Sequence, residues 1–158
     1  MTRMISTIAS CLLLANLSVG QNPEKFELTA EEKLILELTN AARKNADLPA
    51  LTANPKLAKA ARAHSLNQAK QDKLEHELDG KKPSDRVVAA GYRYRTVGEN
   101  VAMGSKNVTV EEIFDGWMKS PGHRANILSA KYTQLGVGTG ATSEGKRYYT
   151  QVFGAPAK

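Results

Sequence analysis

Apolar positions along this chain switch between a helical period and a strand period, and the switches mark out its elements. Thr29-Ala30-Glu31-Glu32 has the Thr-x-x-Glu form of a capping box, and Leu34, Ile35, Leu38, Ala41 and Ala42 follow it at helical spacing. A first helix is predicted from there to Asn45-Ala46. Asn54-Pro55 opens a second: Asn accepts from the free N–H groups of a first turn, and Pro at the first helical position loses no hydrogen bond. On that helix Leu57, Ala60, Ala61, His64 and Gln68 share one face, while Lys59, Arg62, Lys70 and Lys73 share the other. The small residues of the first face predict close packing against a sheet or another helix.

Ser84-Asp85 is expected to cap a short helix that stops before Gly91, and alternation around Thr96 to Ala102 predicts a strand. Thr109-Val110-Glu111-Glu112 is a second capping box. It opens a helix whose Val110, Ile113, Phe114, Trp117 and Met118 form a core-facing stripe, and Pro121-Gly122 is expected to break it. Gln134 to Gly140 and Arg147 to Phe153 read as two strands joined through Ser143-Glu144-Gly145-Lys146, an antiparallel hairpin. Helices in front, strands behind and a helix returning between strands predict an α+β domain.

Composition adds a boundary and removes a partner. A chain of 158 residues makes one domain, but its first twenty residues stand apart from it. Arg3 supplies a positive charge, Ile5 to Val19 is mostly apolar and uncharged, and Ser18-Val19-Gly20 offers small residues to a signal peptidase. Residues 1–20 therefore read as a signal peptide cleaved after Gly20, 21–28 as an exposed lead-in and 29–158 as the domain. The apolar run is too short for a transmembrane segment, so an exported protein is expected. The only cysteine, Cys11, lies in that leader. Ile8-Ala9-Ser10-Cys11 imitates a lipoprotein cleavage box, but the better apolar stretch, Leu12-Leu13-Leu14, comes after it, so a lipid anchor is the lesser reading. With no cysteine left, the mature fold must rest on its core. The net charge is +6 and aromatics make up 6% of residues. Bases are interleaved with acids and no stacking platform is present, so nucleic acid is not an expected partner.

Two short stretches are not composition effects: Gly98-Glu99-Asn100-Val101-Ala102, and Trp117-Met118-Lys119-Ser120-Pro121-Gly122-His123-Arg124-Ala125-Asn126-Ile127-Leu128. With Leu74-Glu75-His76 upstream and Gly136-Val137-Gly138 downstream, they resemble the CAP superfamily of cysteine-rich secretory protein-like (SCP) domains, and its bacterial branch most closely. The resemblance runs from Leu34 to Gly154. It implies a three-layer α-β-α sandwich around a small antiparallel sheet.

It also implies a polar cleft lined by His76, Glu99, Ser120 and His123, where Ser120 stands in place of a second glutamate found in eukaryotic members. Two imidazoles and a carboxylate suit zinc or a similar divalent metal, with His76 and His123 as ligands and Asp79, Glu75 or Glu77 orienting an imidazole. In the bland reading the two histidines simply hydrogen-bond across loops. His64 shares its face with Leu57, Ala60 and Ala61, so it reads as a satisfied, partly buried histidine. Trp117 and Phe114 read as core, and Asn100 and Asn126 as residues fixing the loops beside Glu99 and His123. Arg124 has two candidate partners, Glu99 and Asp115. Ser65 and Ser120 read as cap or turn residues, with no Ser-His-Asp arrangement around them. Three functions follow: a secreted binding module for a small-molecule, lipid or cell-surface ligand; a metal-dependent hydrolase of peptide or wall material with Glu99 as base; or a structural surface protein.

Overall fold

The computed structural model describes residues 26–158, and the expected leader and most of the lead-in lie outside the described residues. The elements run α1 (Ala30–Lys44), β1 (Thr52–Ala53), α2 (Pro55–Gln71), α3 (Pro83–Ala89), β2 (Tyr94–Gly104), α4 (Val110–Lys119), α5 (Pro121–Ile127), β3 (Gln134–Ala141) and β4 (Arg147–Pro156). Both expected Thr-x-x-Glu boxes form: Glu32 N donates to Thr29 Oγ1 at 3.3 Å and Glu112 N to Thr109 Oγ1 at 3.1 Å. Asn54 caps α2 by accepting from Lys56 and Leu57, as its position before Pro55 predicts. The end of the lead-in is docked. Arg62 lies over the Phe26 ring and donates to the Glu27 carbonyl, while its fork holds the buried Glu32 carboxylate.

The sheet order is β1-β3-β4-β2, with β4 antiparallel to both β3 and β2. A two-residue β1 adds a short parallel pairing to β3 at one edge, too brief to leave a signal of alternation in the sequence. Alternation along β4 divides the core between two faces. Tyr149 and Phe153 join Ile35, Ile113, Phe114, Trp117 and Ile127 under α1, α4 and α5. Val152 joins Leu57, Ala60, Ala61, Val87 and Tyr92 under α2 and α3. The result is the α-β-α sandwich, with helices on both faces of one sheet. Trp117 is 1% exposed and donates to the Val101 carbonyl at 3.2 Å, as a core tryptophan should.

Close approach explains one motif. A Cβ on Gly136 or Gly138 would sit 2.0–2.5 Å from atoms of Leu57, Ala58, Ala61 and Arg62, mostly backbone, so only bare backbone lets α2 lie on β3. Ser65, buried in mid-α2, bonds Gly138 O and Thr150 Oγ1 across the same seam; it is neither a cap nor a turn residue.

Two boundaries differ from expectation. The cap of α3 falls on Lys82, with Pro83 at the first helical position and Asp85 reaching back to the Lys82 N–H at 2.9 Å. Pro121-Gly122 does end α4, but Pro121 is also the first residue of α5. A proline with no N–H to donate stops one helix and starts the next equally well, and extended Ser120 is the joint. His123 is thus helical, not part of a glycine-rich turn. The far end of α5 is held by Arg43, which is 1% exposed and donates to the Ile127 and Ser129 carbonyls.

Candidate functional site

Register decides where the Gly-Glu-Asn stretch points. Glu99 pairs with Val152 and so faces α2 and α3, while Asn100 pairs with Gln151 and faces α1 and α5. Three cationic or imidazole groups meet the Glu99 carboxylate. His76 Nδ1 stands 3.0 Å from Oε1, Arg86 Nη2 donates to Oε2 at 2.7 Å, and His64 Nε2 lies 3.8 Å from Oε1. The Glu99 side chain is 2% exposed and that of Arg86 10%, whereas His76 is 54% exposed. The carboxylate is therefore a buried counter-ion with an imidazole laid over it, not an acid facing solvent.

The segment carrying His76 is held by its backbone. His64 Nε2 and Gln68 Nε2 both reach the Glu75 carbonyl, at 2.8 and 3.1 Å. Arg86 donates to the carbonyls of His76 at 2.9 Å and Lys81 at 2.7 Å. Since a carbonyl only accepts, His64 Nε2 must carry the proton. Its Nδ1 is left as a buried acceptor with no protein partner among the described residues. His64 is thus 1% exposed, half satisfied and 3.8 Å from Glu99, where a satisfied, partly buried histidine is expected. Helical periodicity identified its buried face but not what waits across it. Arg86 was missed altogether, because an arginine in a short helix carries no local signal of a buried partner 13 residues away.

His76 and Glu99 are brought into direct contact. His123 is half-buried and near enough to His76 to feel its charge, but among the described residues its side chain bonds neither partner. Ser120 makes no side-chain cap bond and, among the described residues, none to Glu99, His76 or His64. Asn100 and Asn126 do fix this region, though by tying α5 to the outer edge of β2. Asn100 Nδ2 donates to the His123 carbonyl at 3.1 Å, and Asn126 Nδ2 to the Glu99 carbonyl at 3.2 Å and Asn100 Oδ1 at 2.9 Å. Arg124 is exposed and pairs with neither Glu99 nor Asp115. Asp79 orients no histidine, for Asn67 and Gln71 take its carboxylate.

The three histidines are driven apart electrostatically. The hydrogen bond to Glu99 raises the His76 pKa above its ordinary value. Burial lowers that of His64, assisted by the charges of Arg86 and His76 and opposed by Glu99. Burial, then the charge of His76, lowers that of His123. An imidazole that favours its charged form thus stands near one that favours its neutral form. A protein zinc site needs at least three converging ligands, and among the described residues no three His, Cys, Asp or Glu side chains make such a set. Glu99 is engaged by a permanent cation, which opposes a second one there. The expected pairing of both imidazoles with that carboxylate around a metal does not fit these residues.

Comparison with known proteins agrees with this architecture. The model of the cysteine-rich secretory protein (CAP) family matches residues 36–153. YkwD of Bacillus subtilis is 40% identical over 112 residues, 70% of this chain and 43% of YkwD, so the chain spans less than half of that relative. An extracellular SCP-domain protein of Bacillus anthracis superposes with a TM-score of 0.70 at 27% identity, covering 82% of this chain and 45% of that one. An outer surface protein of Borrelia burgdorferi gives 0.76 at 18% identity, covering 84% and 97%. NaASP2, similar in fold with a TM-score of 0.59 at 17% identity over 80% of each chain, has been crystallised with Zn2+. No helix of the described residues is long and apolar enough to cross a membrane. With most of its length matched by the family model and a bacterial relative this similar, the chain belongs to the cysteine-rich secretory protein family.

Proposed function

We propose that the protein is an exported binding module that takes a small-molecule or cell-surface ligand at the cleft edged by His76 and His123. One observation carries the choice over a hydrolase: the Glu99 carboxylate is 2% exposed and bonded on both oxygens, by Arg86 and His76. A general base must reach the proton it abstracts, and this group is walled off from any substrate in the cleft. His76 is 54% exposed with Nδ1 engaged by Glu99, which leaves Nε2 for a polar ligand, and the half-buried His123 lies within electrostatic range of it. Export is supported by the leader pattern of residues 1–20 and by the extracellular relative from Bacillus anthracis.

The test is a turnover screen on peptides and muropeptides with purified protein, run beside sedimentation with isolated cell-wall material. Wild type is expected to turn over nothing. Its sedimentation should fall when His76 and His123 are both replaced by Ala. Turnover that a folded Glu99→Gln variant loses would overturn the reading in favour of the enzyme. Sedimentation unaffected by the double replacement would remove the cleft from the function.

A further inference from the structure

A cavity of about 390 Å³ opens between α2, α3 and the Leu78–Lys81 loop, and neither His76, Glu99 nor His123 lines it. Its walls are short and apolar, built from Ala60 and Ala63 of α2 and Ala89 of α3. Its charges are unbalanced. Lys59 and Lys81 line it against one acid, Asp79, whose carboxylate is occupied by Asn67 and Gln71, while the charge of Arg86 is met by Glu99 behind the lining. Lys59 and Lys81 form no ion pair among the described residues, although Lys81 acts on Asp79 at longer range.

Arg86 makes this more than a trough between lysines. Its side chain is nine-tenths buried. Of five guanidinium N–H donors, Nη2 gives two to Glu99 and the His76 carbonyl and Nη1 gives one to the Lys81 carbonyl. Nε–H and the second N–H of Nη1 are left without a protein partner among the described residues. A preorganised guanidinium with unused donors, two unpaired ammonium groups and methyl-lined walls form a receptor for a negatively charged head on a compact apolar body.

We propose that the α2–α3 cavity binds a small organic oxyanion, a carboxylate or phosphate whose apolar part rests on Ala60, Ala63 and Ala89. The head sits among Lys59, Lys81 and the free Nε–H of Arg86. The lining shares His64 and Arg86 with the surroundings of Glu99 but includes neither His76 nor His123, so this proposal is tested apart from the one made for those two histidines.

The test is an amide NMR titration of the full chain with benzoate and phenyl phosphate, with benzyl alcohol as the neutral counterpart of benzoate. Saturable shifts are expected at Ala60, Ala63 and Ala89, with the alcohol at least about fivefold weaker. Lys59→Gln and Lys81→Gln should each weaken benzoate about two- to fivefold, the range for one solvent-screened ion pair. Ala63→Leu, a good helix former on an exposed position, should fill the cavity and abolish binding while leaving the remaining amide spectrum unchanged. A parallel arm uses vesicles of phosphatidylglycerol and of phosphatidylcholine. Vesicle binding lost in Ala63→Leu, with no shift from either free anion, would assign the same head-group chemistry to a lipid. Equal affinity for benzyl alcohol and benzoate, or shifts insensitive to both Ala63→Leu and the lysine variants, would overturn the proposal. Absence of binding in both arms would do so too.

Discussion

Arg86→Leu removes the permanent cation from a carboxylate that the fold has already desolvated. Both side chains are buried, at 10% and 2% exposure, so solvent screening does little to soften the loss. Breaking such a pair from one side costs about 3–5 kcal/mol, because the other charge stays inside without its partner. The leucine also gives up the donors to the Lys81 and His76 carbonyls, which face partly exposed loop segments and add less. For a denaturant slope of about 2 kcal/mol/M, the urea midpoint should fall by about 2 M. Glu99→Gln is the control, since an amide oxygen still accepts from Arg86 while the charge is gone. Combining it with Arg86→Leu removes the charge along with its partner, so the double variant should be more stable than additivity predicts by at least about 1 kcal/mol. A loss below about 1 kcal/mol in Arg86→Leu, or strict additivity in the cycle, would show that Glu99 is hydrated rather than a buried counter-ion.

Two further outcomes follow from the same structure. Trp117→Ala deletes a side chain that is 1% exposed at the centre of the α1/α4/α5 core and orphans the Val101 carbonyl. It should cost about 3–5 kcal/mol in chemical denaturation, and a loss under about 1 kcal/mol would mean the ring is not in the core. Proton NMR should find His76 titrating above the ordinary histidine value and His64 and His123 below it. The raised His76 contributes stability that is complete below its unfolded pKa of about 6.5 and fades as pH rises through its folded value. The lowered pair acts in the opposite sense: the unfolded chain binds their protons more readily, so their contribution to stability drops as pH falls through about 6.5. The reverse order of titration would refute the assigned contacts.

Most of the fold was legible because its boundaries are written in local chemistry. Thr29, Thr109 and Asn54 each supply an oxygen to their own first turn, and Val110 to Trp117 repeat at a period only a helix satisfies. Pro121 ends α4 as expected, but the same residue is equally fit to begin α5, and its local signal does not reveal that second helix. The site was legible only as a set of residues. His76, Glu99 and His123 come to one region, but nothing in their spacing says that Glu99 faces inward. That depends on the pairing of Glu99 with Val152, and a shift of one residue would have turned the carboxylate toward α5 and Asn100 toward α2. His64 and Arg86 escape for the same reason. Each is ordinary on its own helix, and each acquires its meaning from a carbonyl or carboxylate on another segment. A buried acid surrounded by a guanidinium and two imidazoles is costly unless it orders something. What it orders is the backbone of Glu75 and His76, whose carbonyls are gripped from α2 and α3. That grip leaves one imidazole edge exposed in a fixed position, as the proposed binding role requires, while the carboxylate beneath it stays out of reach.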